Sequence, residues 1–149
     1  LNAIYLLIFV VDMSKILALD FGLKRTGMAI SDDSKIFAFG LKTIPSSELE
    51  KELHVLIPKE KIETIILGEP KRLNLEDSHI TQNVHLLKKR LEQLFPTLKI
   101  ELIDERFTSK MASQTISMSG LSKKKSQQKD LIDEVSATIL LQDYLKNLT

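Results

Sequence analysis

The chain has 149 residues, 43% of them hydrophobic and 28% charged, which is typical of a single globular domain and excludes a disordered or collagen-like chain. The net charge of +1 excludes a uniformly basic surface, so any contact with nucleic acid must depend on local clusters of cations. The absence of cysteine excludes disulfide scaffolds and zinc fingers, and it fits a reducing compartment such as the cytoplasm.

The first twelve residues, LNAIYLLIFVVD, are apolar but too few to cross a bilayer, which takes about 20 residues. They also lack the basic start and the cleavage site of a signal peptide, so we expect no membrane association. Because Met13 directly precedes the first well-patterned strand, we interpret residues 1–12 as an upstream extension or a short extra strand. Residues 13–149 are then expected to form one domain.

Three β-favouring segments follow Met13. The pattern predicts strands at Lys15–Phe21, Gly27–Ser31 and Lys35–Ile44. Short polar turns separate the segments, and short turns join antiparallel neighbours. We therefore expect a three-stranded antiparallel meander.

After the third strand, helical and strand patterns alternate. Ser47 with Glu50 three residues later predicts a capping box at the start of a helix. Strands are predicted at Ile62–Pro70 and Lys99–Glu105, separated by a helix whose apolar residues are spaced by four and three from Ile80 to Leu94.

Two further helices complete the pattern, one from Thr108 to about Met118 and the other from about Asp130 to Leu145. The order β-β-β-α-β-α-β-α-α predicts an α/β fold. Its sheet would be five-stranded and mixed, combining the meander with parallel strands, and helices would cover both faces.

Acidic residues stand where several predicted elements begin or end. Asp20 ends the first strand, Glu69 follows the fourth, Asp104 and Glu105 end the fifth, and Asp133 opens the last helix. Singly, each has a plain structural interpretation, such as a turn residue, a surface ion pair or an acid at a helix N-terminus. In open α/β sheets, however, functional groups gather beyond the carboxyl ends of the parallel strands.

Neighbouring side chains on a strand point to opposite faces, so Asp104 and Glu105 are not expected to reach the same site. Glu105 has the alternation of Glu101 and Ile103, whereas Asp104 has that of Leu102. Alternation by itself leaves open which of the two acids lies at the site.

A cluster of three carboxylates, from Asp20, Asp133 and one acid at the end of the fifth strand, fits a particular chemistry. Without cations, the three would repel one another and raise each other's pKa values. Divalent ions with hard oxygen ligands, such as Mg²⁺, would neutralise them. Two such ions can activate a water and stabilise the leaving oxygen when a phosphodiester bond is hydrolysed.

Four segments in order resemble the YqgF family, whose members are described as pre-16S rRNA nucleases or Holliday junction resolvases. They read ALDFGLKRTGMAISD, LGEP, IDERFTSKMA and GLSKKKSQQKDLIDEVSATILLQDYL, and the resemblance extends from about Lys15 to Leu145. It implies an RNase H-like fold and a metal-dependent endonuclease acting on structured nucleic acid. The first candidate reaction is 5′-end processing of precursor 16S rRNA, and Holliday junction resolution is the alternative.

The resemblance also implies roles for individual residues. The family's acidic positions match Asp20, Glu105 and Asp133, which are expected to be catalytic and to bind Mg²⁺ or Mn²⁺ as a pair of ions. The family motif after the fourth strand is usually Gly, an apolar residue and Pro, whereas this chain has Glu69 at the middle position. We interpret Glu69 as a solvated substitution, with an extra carboxylate at the rim of the site as the alternative.

Basic residues stand close in sequence to these acids. We predict that they contact the nucleic-acid backbone, although a lysine run is often simply solvated. The candidates are Lys24, Arg25, Lys71, Arg72, Arg106, Lys123, Lys124, Lys125 and Lys129. The chain has two Tyr, six Phe and no Trp, so recognition of shape and backbone is expected rather than stacking on single-stranded bases.

Other classes of function fit less well. The Asp-Phe-Gly segment also resembles the phosphate loop of the actin and hexokinase superfamily, but 149 residues hold only one of its two lobes. A non-catalytic module that binds RNA or a ribosome-associated partner remains a second hypothesis. His54, His79 and His85 lack metal-ligand spacing. A monomer and a homodimer are both compatible with the sequence.

Overall fold

The computed structural model describes the backbone of residues 13–70, 75–105, 108–118 and 125–148. It describes the side chains in these ranges except at 70, 75–79, 105, 108–110, 113, 118 and 125–127. The extension or extra strand predicted at residues 1–12 lies outside the described residues.

Five strands and four helices follow one another in the predicted order. The strands are β1 (Lys15–Phe21), β2 (Arg25–Ser31), β3 (Ala38–Pro45), β4 (Ile62–Pro70) and β5 (Lys99–Glu105). The helices are α1 (Leu49–Glu60), α2 (Leu75–Leu94), α3 (Thr108–Met118) and α4 (Lys125–Lys146). A short 3₁₀ turn at Ser46–Glu48 precedes α1.

The sheet has the strand order β3-β2-β1-β4-β5, with antiparallel pairing of β1 with β2 and of β2 with β3. The pairs β1–β4 and β4–β5 are parallel. The predicted meander and the mixed five-stranded sheet are therefore confirmed. Parallel pairing requires crossover connections, and α1 and α2 supply them.

Several local predictions are corrected at the ends of elements. The second strand begins at Arg25 rather than Gly27. The third strand begins at Ala38 rather than Lys35, because the Asp32 carboxylate accepts hydrogen bonds from the backbone N–H groups of Ile36 and Phe37 and holds a loop there. The last helix begins at Lys125, one turn earlier than predicted. The capping box at Ser47 does not form, because the 3₁₀ turn intervenes and Glu48 is the N-cap residue of α1.

Two hydrophobic clusters lie on opposite faces of the sheet, as the prediction of helices on both faces requires. The larger cluster joins the sheet to α1 and α2 through side chains such as Leu17, Leu19, Met28, Leu53 and Leu91. The smaller cluster lies under α4, and α3 packs against α4. Within the described ranges, none of the helices is both long enough and apolar enough to cross a membrane.

Candidate active site

Asp20 stands near the end of β1, next to a turn that is tied to the rest of the fold. The Gly22 N–H donates to the Arg25 carbonyl oxygen at 2.9 Å, which closes the turn between β1 and β2. Ser46 Oγ donates to the Gly22 carbonyl oxygen at 2.5 Å and lies 2.8 Å from Thr26 Oγ1. These bonds anchor the turn to the end of the meander, so the end of β1 has a fixed position.

The alternation of β1 places Asp20 on the face of the sheet that α4 covers. Ile16 and Ala18 belong to the cluster under α4, whereas Leu17 and Leu19 belong to the opposite cluster. Because side chains alternate along a strand, Asp20 shares the face of Ile16 and Ala18. Asp20 is partly buried and makes a polar interaction.

Gly27 is the cross-strand partner of Asp20, and the backbone of α4 approaches the sheet closely there. A Cβ atom on Gly27 would lie 2.1 Å from the Asp133 carbonyl oxygen and 2.8 Å from the Glu134 backbone nitrogen. Only glycine leaves room for this approach. Since directly opposed residues have Cβ positions about 4.5–5.5 Å apart, the contact places the Asp133 backbone near the strand position of Asp20.

Arg25 forms ion pairs with two acids of α4. Its Nε atom lies 3.1 Å from Asp133 Oδ2 and 3.4 Å from Asp130 Oδ1. The Asp133 side chain is 24% exposed and that of Arg25 is 35% exposed. Thr43 Oγ1 donates to the Asp130 carbonyl oxygen at 2.7 Å, which ties the first turns of α4 to β3. The carboxylate of Asp133 is therefore held beside a cation.

The register of β5 separates Asp104 from Glu105. Tyr144 of α4 donates to Glu101, and Ile103 packs against the cluster under α4. Because side chains alternate along a strand, position 105 is in step with Glu101 and Ile103, whereas position 104 is out of step with them. The backbone of Glu105 pairs with Pro70 at the end of β4, and its side chain lies outside the described residues.

Glu69 is not the solvated substitution that we expected. Glu69 Oε1 lies 2.9 Å from Nε2 of His85 on α2, and the Glu69 side chain is only 18% exposed. Since α2 packs on the face opposite α4, Glu69 points away from Asp20. The extra carboxylate therefore belongs to the packing of α2 on the sheet.

The predicted backbone-binding cations are described in part. Lys24 and Lys129 are exposed, and Arg25 makes the ion pairs given above. The other candidates lie outside the residues whose side chains are described: Lys71, Arg72, Arg106, Lys123, Lys124 and Lys125. The arrangement leaves Lys24 available at the turn beside Asp20.

Gly27 is the residue of this site that the sequence interpretation passed over. A glycine inside a strand is a known signal of close backbone approach, so the pattern held the necessary information. Near Asp133, α4 continues with Ser136 and Ala137, both fully buried. The small residues on both elements let helix and sheet meet beside the acids.

Asp20 and Asp133 are carboxylates that could contribute oxygen ligands to a divalent cation. Among the side chains that the structure describes, no three His, Cys, Asp or Glu residues form a group able to hold a metal, and Glu105 is not among them. Asp20 lies on the face of the sheet that α4 covers. Opposite Asp20, the backbone of Asp133 packs against Gly27 so closely that a Cβ atom would not fit between them. Carboxylate oxygens are the donors that Mg²⁺ and Mn²⁺ prefer.

Comparison with known proteins gives one family and a set of close relatives. The family described as "RuvX: Holliday junction resolvase" matches residues 14–147. Two relatives named "Putative pre-16S rRNA nuclease" come from Flavobacterium johnsoniae and Flavobacterium psychrophilum. The first is 48% identical over 91% of this chain and 98% of its own length. The second is 50% identical over 89% of this chain and 97% of its own length.

A solved structure supports the fold. The RuvC protein of Thermus thermophilus, in complex with a Holliday junction, superposes with a TM-score of 0.56 over 91% of this chain and 95% of that chain. The two sequences are only 10% identical. The likeness therefore concerns the architecture, which agrees with the expected RNase H-like fold.

Proposed function

The chain belongs to the RuvX family of Holliday junction resolvases, and from this premise we propose that it is a metal-dependent endonuclease of structured nucleic acid. In this proposal Asp20, Glu105 and Asp133 are the catalytic acids and bind Mg²⁺ or Mn²⁺. Relatives that share nearly half of its residues carry the name of a nuclease, a class of hydrolase that cleaves phosphodiester bonds.

The observation that carries the proposal is the contact between α4 and Gly27. In this contact the backbone of Asp133 lies against the strand position opposite Asp20, although the two acids are 113 positions apart in the sequence (133 − 20). Two partly buried acids on one face concentrate negative charge, which Arg25 offsets in part and divalent cations would offset further. Position 105 alternates in step with Glu101 and Ile103 of β5, which contact α4 and its cluster, and this supports the inclusion of Glu105.

The chemistry follows from these placements. A pair of divalent ions held by the acids would lower the pKa of an attacking water and stabilise charge on the leaving oxygen. Asp20 sits on a strand whose turn is anchored by Ser46, and Asp133 sits on a helix seated on the sheet. Both carboxylates are thus presented by rigid elements, as an in-line displacement requires.

Exposed cations would guide the nucleic-acid backbone to the acids. Lys24 lies in the turn next to Asp20, and Lys129 lies one turn before Asp133. We propose that they, with Arg25 and the cations at positions 71, 72, 106 and 123–125, neutralise phosphates flanking the bond that is cleaved. This contact would be independent of sequence and would weaken as the salt concentration rises.

We propose precursor 16S rRNA as the substrate and the cytoplasm as the place of action, because the relatives at 44–50% identity carry the name of a pre-16S rRNA nuclease. A Holliday junction is the second candidate, favoured by the description of the family. A two-fold symmetric junction would require a homodimer, whereas the end of an rRNA precursor can be processed by a monomer.

Cleavage of a matched panel of precursor rRNA and four-way junction DNA tests the proposal. Asp20→Asn and Asp133→Asn should each lower the rate in Mg²⁺ or Mn²⁺ by more than the roughly 10- to 100-fold that loss of an outer partner of a metal ligand costs. Asp143→Asn is the matched control, because Asp143 is an exposed acid on the same helix.

Three outcomes would decide between hypotheses. Full activity in Asp20→Asn would refute the site. Cleavage of only one substrate class would identify the reaction. Nucleic-acid binding without cleavage, unaffected by both substitutions and by chelation of divalent metals, would support the non-catalytic binding module instead.

A further inference from the structure

We propose that Arg25 is a positioning residue that acts as an internal counter-cation, holding the Asp133 carboxylate in the metal-free protein and competing with the divalent cation for it. The inference rests on the proposed function, because it takes Asp133 to be a metal ligand. It assigns Arg25 a task in the metal-free protein in addition to the phosphate contact proposed above.

The geometry places Arg25 among the acids. Arg25 and Gly27 are two residues apart on β2, so both face α4. Asp133 sits above Gly27, and its Oδ2 atom accepts a hydrogen bond from Arg25 Nε at 3.1 Å. Asp20 is opposite Gly27 and therefore diagonal to Arg25, a separation of about 7–8 Å that a long side chain can span.

The surrounding charges explain why a cation is needed before a metal binds. Acids surround Arg25 from two elements: Asp20 near the end of β1, and Asp130, Asp133 and Glu134 on α4. Glu134 packs its side chain over Gly40 of β3. The neighbouring lysines, Lys24 and Lys129, are exposed, whereas the Arg25 side chain is only 35% exposed and reaches both aspartates.

The same contact has a cost for metal binding. A guanidinium holding one oxygen of Asp133 must release or share that carboxylate before the oxygen can bind an ion. Because the pair is partly buried, solvent screens it less than a surface pair. Removing the charge of Arg25 should thus destabilise the metal-free protein and strengthen the binding of the divalent cation.

The test is thermal unfolding of the full chain in titrations with Mn²⁺ alone. We expect Arg25→Gln to lower the Tm without metal by about 2–4 °C, the shift that a change of about 1 kcal/mol causes in a protein of this size. The apparent Kd for Mn²⁺, from the rise of Tm with concentration, should fall about threefold to tenfold.

Two variants serve as controls. Lys24→Gln removes an exposed charge from the adjacent position; it should leave the metal-free Tm unchanged and the Kd for Mn²⁺ within about twofold of the wild type. Arg25→Lys keeps the charge but loses the directed Nε donor, so its Kd should lie between those of the wild type and Arg25→Gln. Arg25→Lys also keeps the test decisive if Arg25→Gln folds poorly.

The results separate failure of this inference from failure of the proposed function. Suppose that Asp133→Asn abolishes the Mn²⁺-induced rise in Tm, while Arg25→Gln leaves the Kd for Mn²⁺ unchanged or raises it. The metal site is then supported, and the role inferred for Arg25 is wrong. If Asp133→Asn leaves the rise intact, the metal site itself is wrong. If Arg25→Gln binds nucleic acid more weakly but has an unchanged Kd for Mn²⁺, Arg25 contacts phosphate and does not compete with the metal.

Discussion

The two faces of the sheet are packed with side chains of different size. Toward α1 and α2, the strands present Leu17, Leu19 and Met28, all fully buried. Toward α4, the same two strands present Ala18, Gly27 and Ala29 at the end that carries Asp20. Large side chains keep the helices of one layer at the ordinary distance, whereas small ones let the α4 backbone touch β2.

This difference teaches where stability and function lie. Burial of large apolar side chains supplies the greater share of the favourable free energy of folding. The face under α4 has smaller side chains and therefore buries less apolar surface near Asp20. Its close contact with α4 fixes how acids from remote parts of the chain are placed relative to one another. We therefore expect a substitution in the larger cluster to lower stability without changing the site, and a substitution at Gly27 to change both stability and the site.

The largest effect should come from Gly27→Ala. The new Cβ would meet the backbone of Asp133, which cannot move without shifting α4. We expect a loss of more than about 4 kcal/mol in the free energy of unfolding, the range reserved for severe defects, together with loss of cleavage. Urea denaturation followed by circular dichroism measures the first quantity.

Gly40→Ala is the matched control for this substitution. A Cβ on Gly40 would meet Glu134 Oε1 at 2.5 Å, but that atom ends a flexible side chain that can turn aside. We expect a change below about 1 kcal/mol. Equal losses in the two variants would show that the close approach at Gly27 is not what seats α4.

On the opposite face, Leu17→Ala should cost about 2–5 kcal/mol, because it leaves a cavity in the larger cluster. The acids lie on the other side of the sheet, so the folded fraction should cleave at the wild-type rate at a temperature well below the Tm. A loss of cleavage per folded molecule would break the separation between the two faces.

The smallest effect should come from Tyr144→Phe and should depend on pH. Tyr144 Oη donates to Glu101 Oε2 at 2.5 Å. Burial, and next the bond to Glu101, raises the pKa of Tyr144 to about 12. The hydrogen bond from Tyr144 lowers the pKa of Glu101 below its ordinary 4.5. Losing the bond should cost about 1 kcal/mol near neutral pH.

The two pKa shifts limit this cost at both ends of the pH scale. Since the pKa of Glu101 is lowered on folding, its contribution is present above pH 4.5 and is lost as the pH falls through the folded pKa. Since the pKa of Tyr144 is raised, its contribution is present below pH 10.0 and is lost as the pH rises toward 12. The difference in Tm between the wild type and Tyr144→Phe should become smaller at both low and high pH. In a Glu101→Gln background, the decrease of this difference at low pH should be absent.

Much of the fold was readable along the chain because the necessary information is local. Alternation and helical spacing predicted five strands and four helices in the right order, and the short turns predicted the meander. The misplaced details lie where a contact overrides the local preference. The Asp32 carboxylate accepts hydrogen bonds from the loop before β3, so the strand begins later than predicted. The 3₁₀ turn at Ser46–Glu48 prevents the capping box at Ser47.

The candidate site was readable as residue types and only in part as geometry. The sequence indicated carboxylates at Asp20, Glu105 and Asp133, and the resemblance selected Glu105 over its neighbour. Alternation alone could not say which face of β5 meets α4, because that depends on how the layers pack. The contacts of Glu101 and Ile103 with α4 answer that question for the backbone position of Glu105.

The sequence by itself determined the order of the elements, the mixed sheet and the acidic residues available for metal binding, since periodicity and composition are properties of neighbouring residues. Only the tertiary structure decided that Glu69 belongs to the α2 face and pairs with His85, and that Arg25 pairs with the acids of α4. The seating of Asp133 on Gly27 was likewise a tertiary outcome. These partners are 16, 108 and 106 residues apart in the chain (85 − 69, 133 − 25 and 133 − 27), so no local pattern records their pairing and only the packing of helices on the sheet creates it.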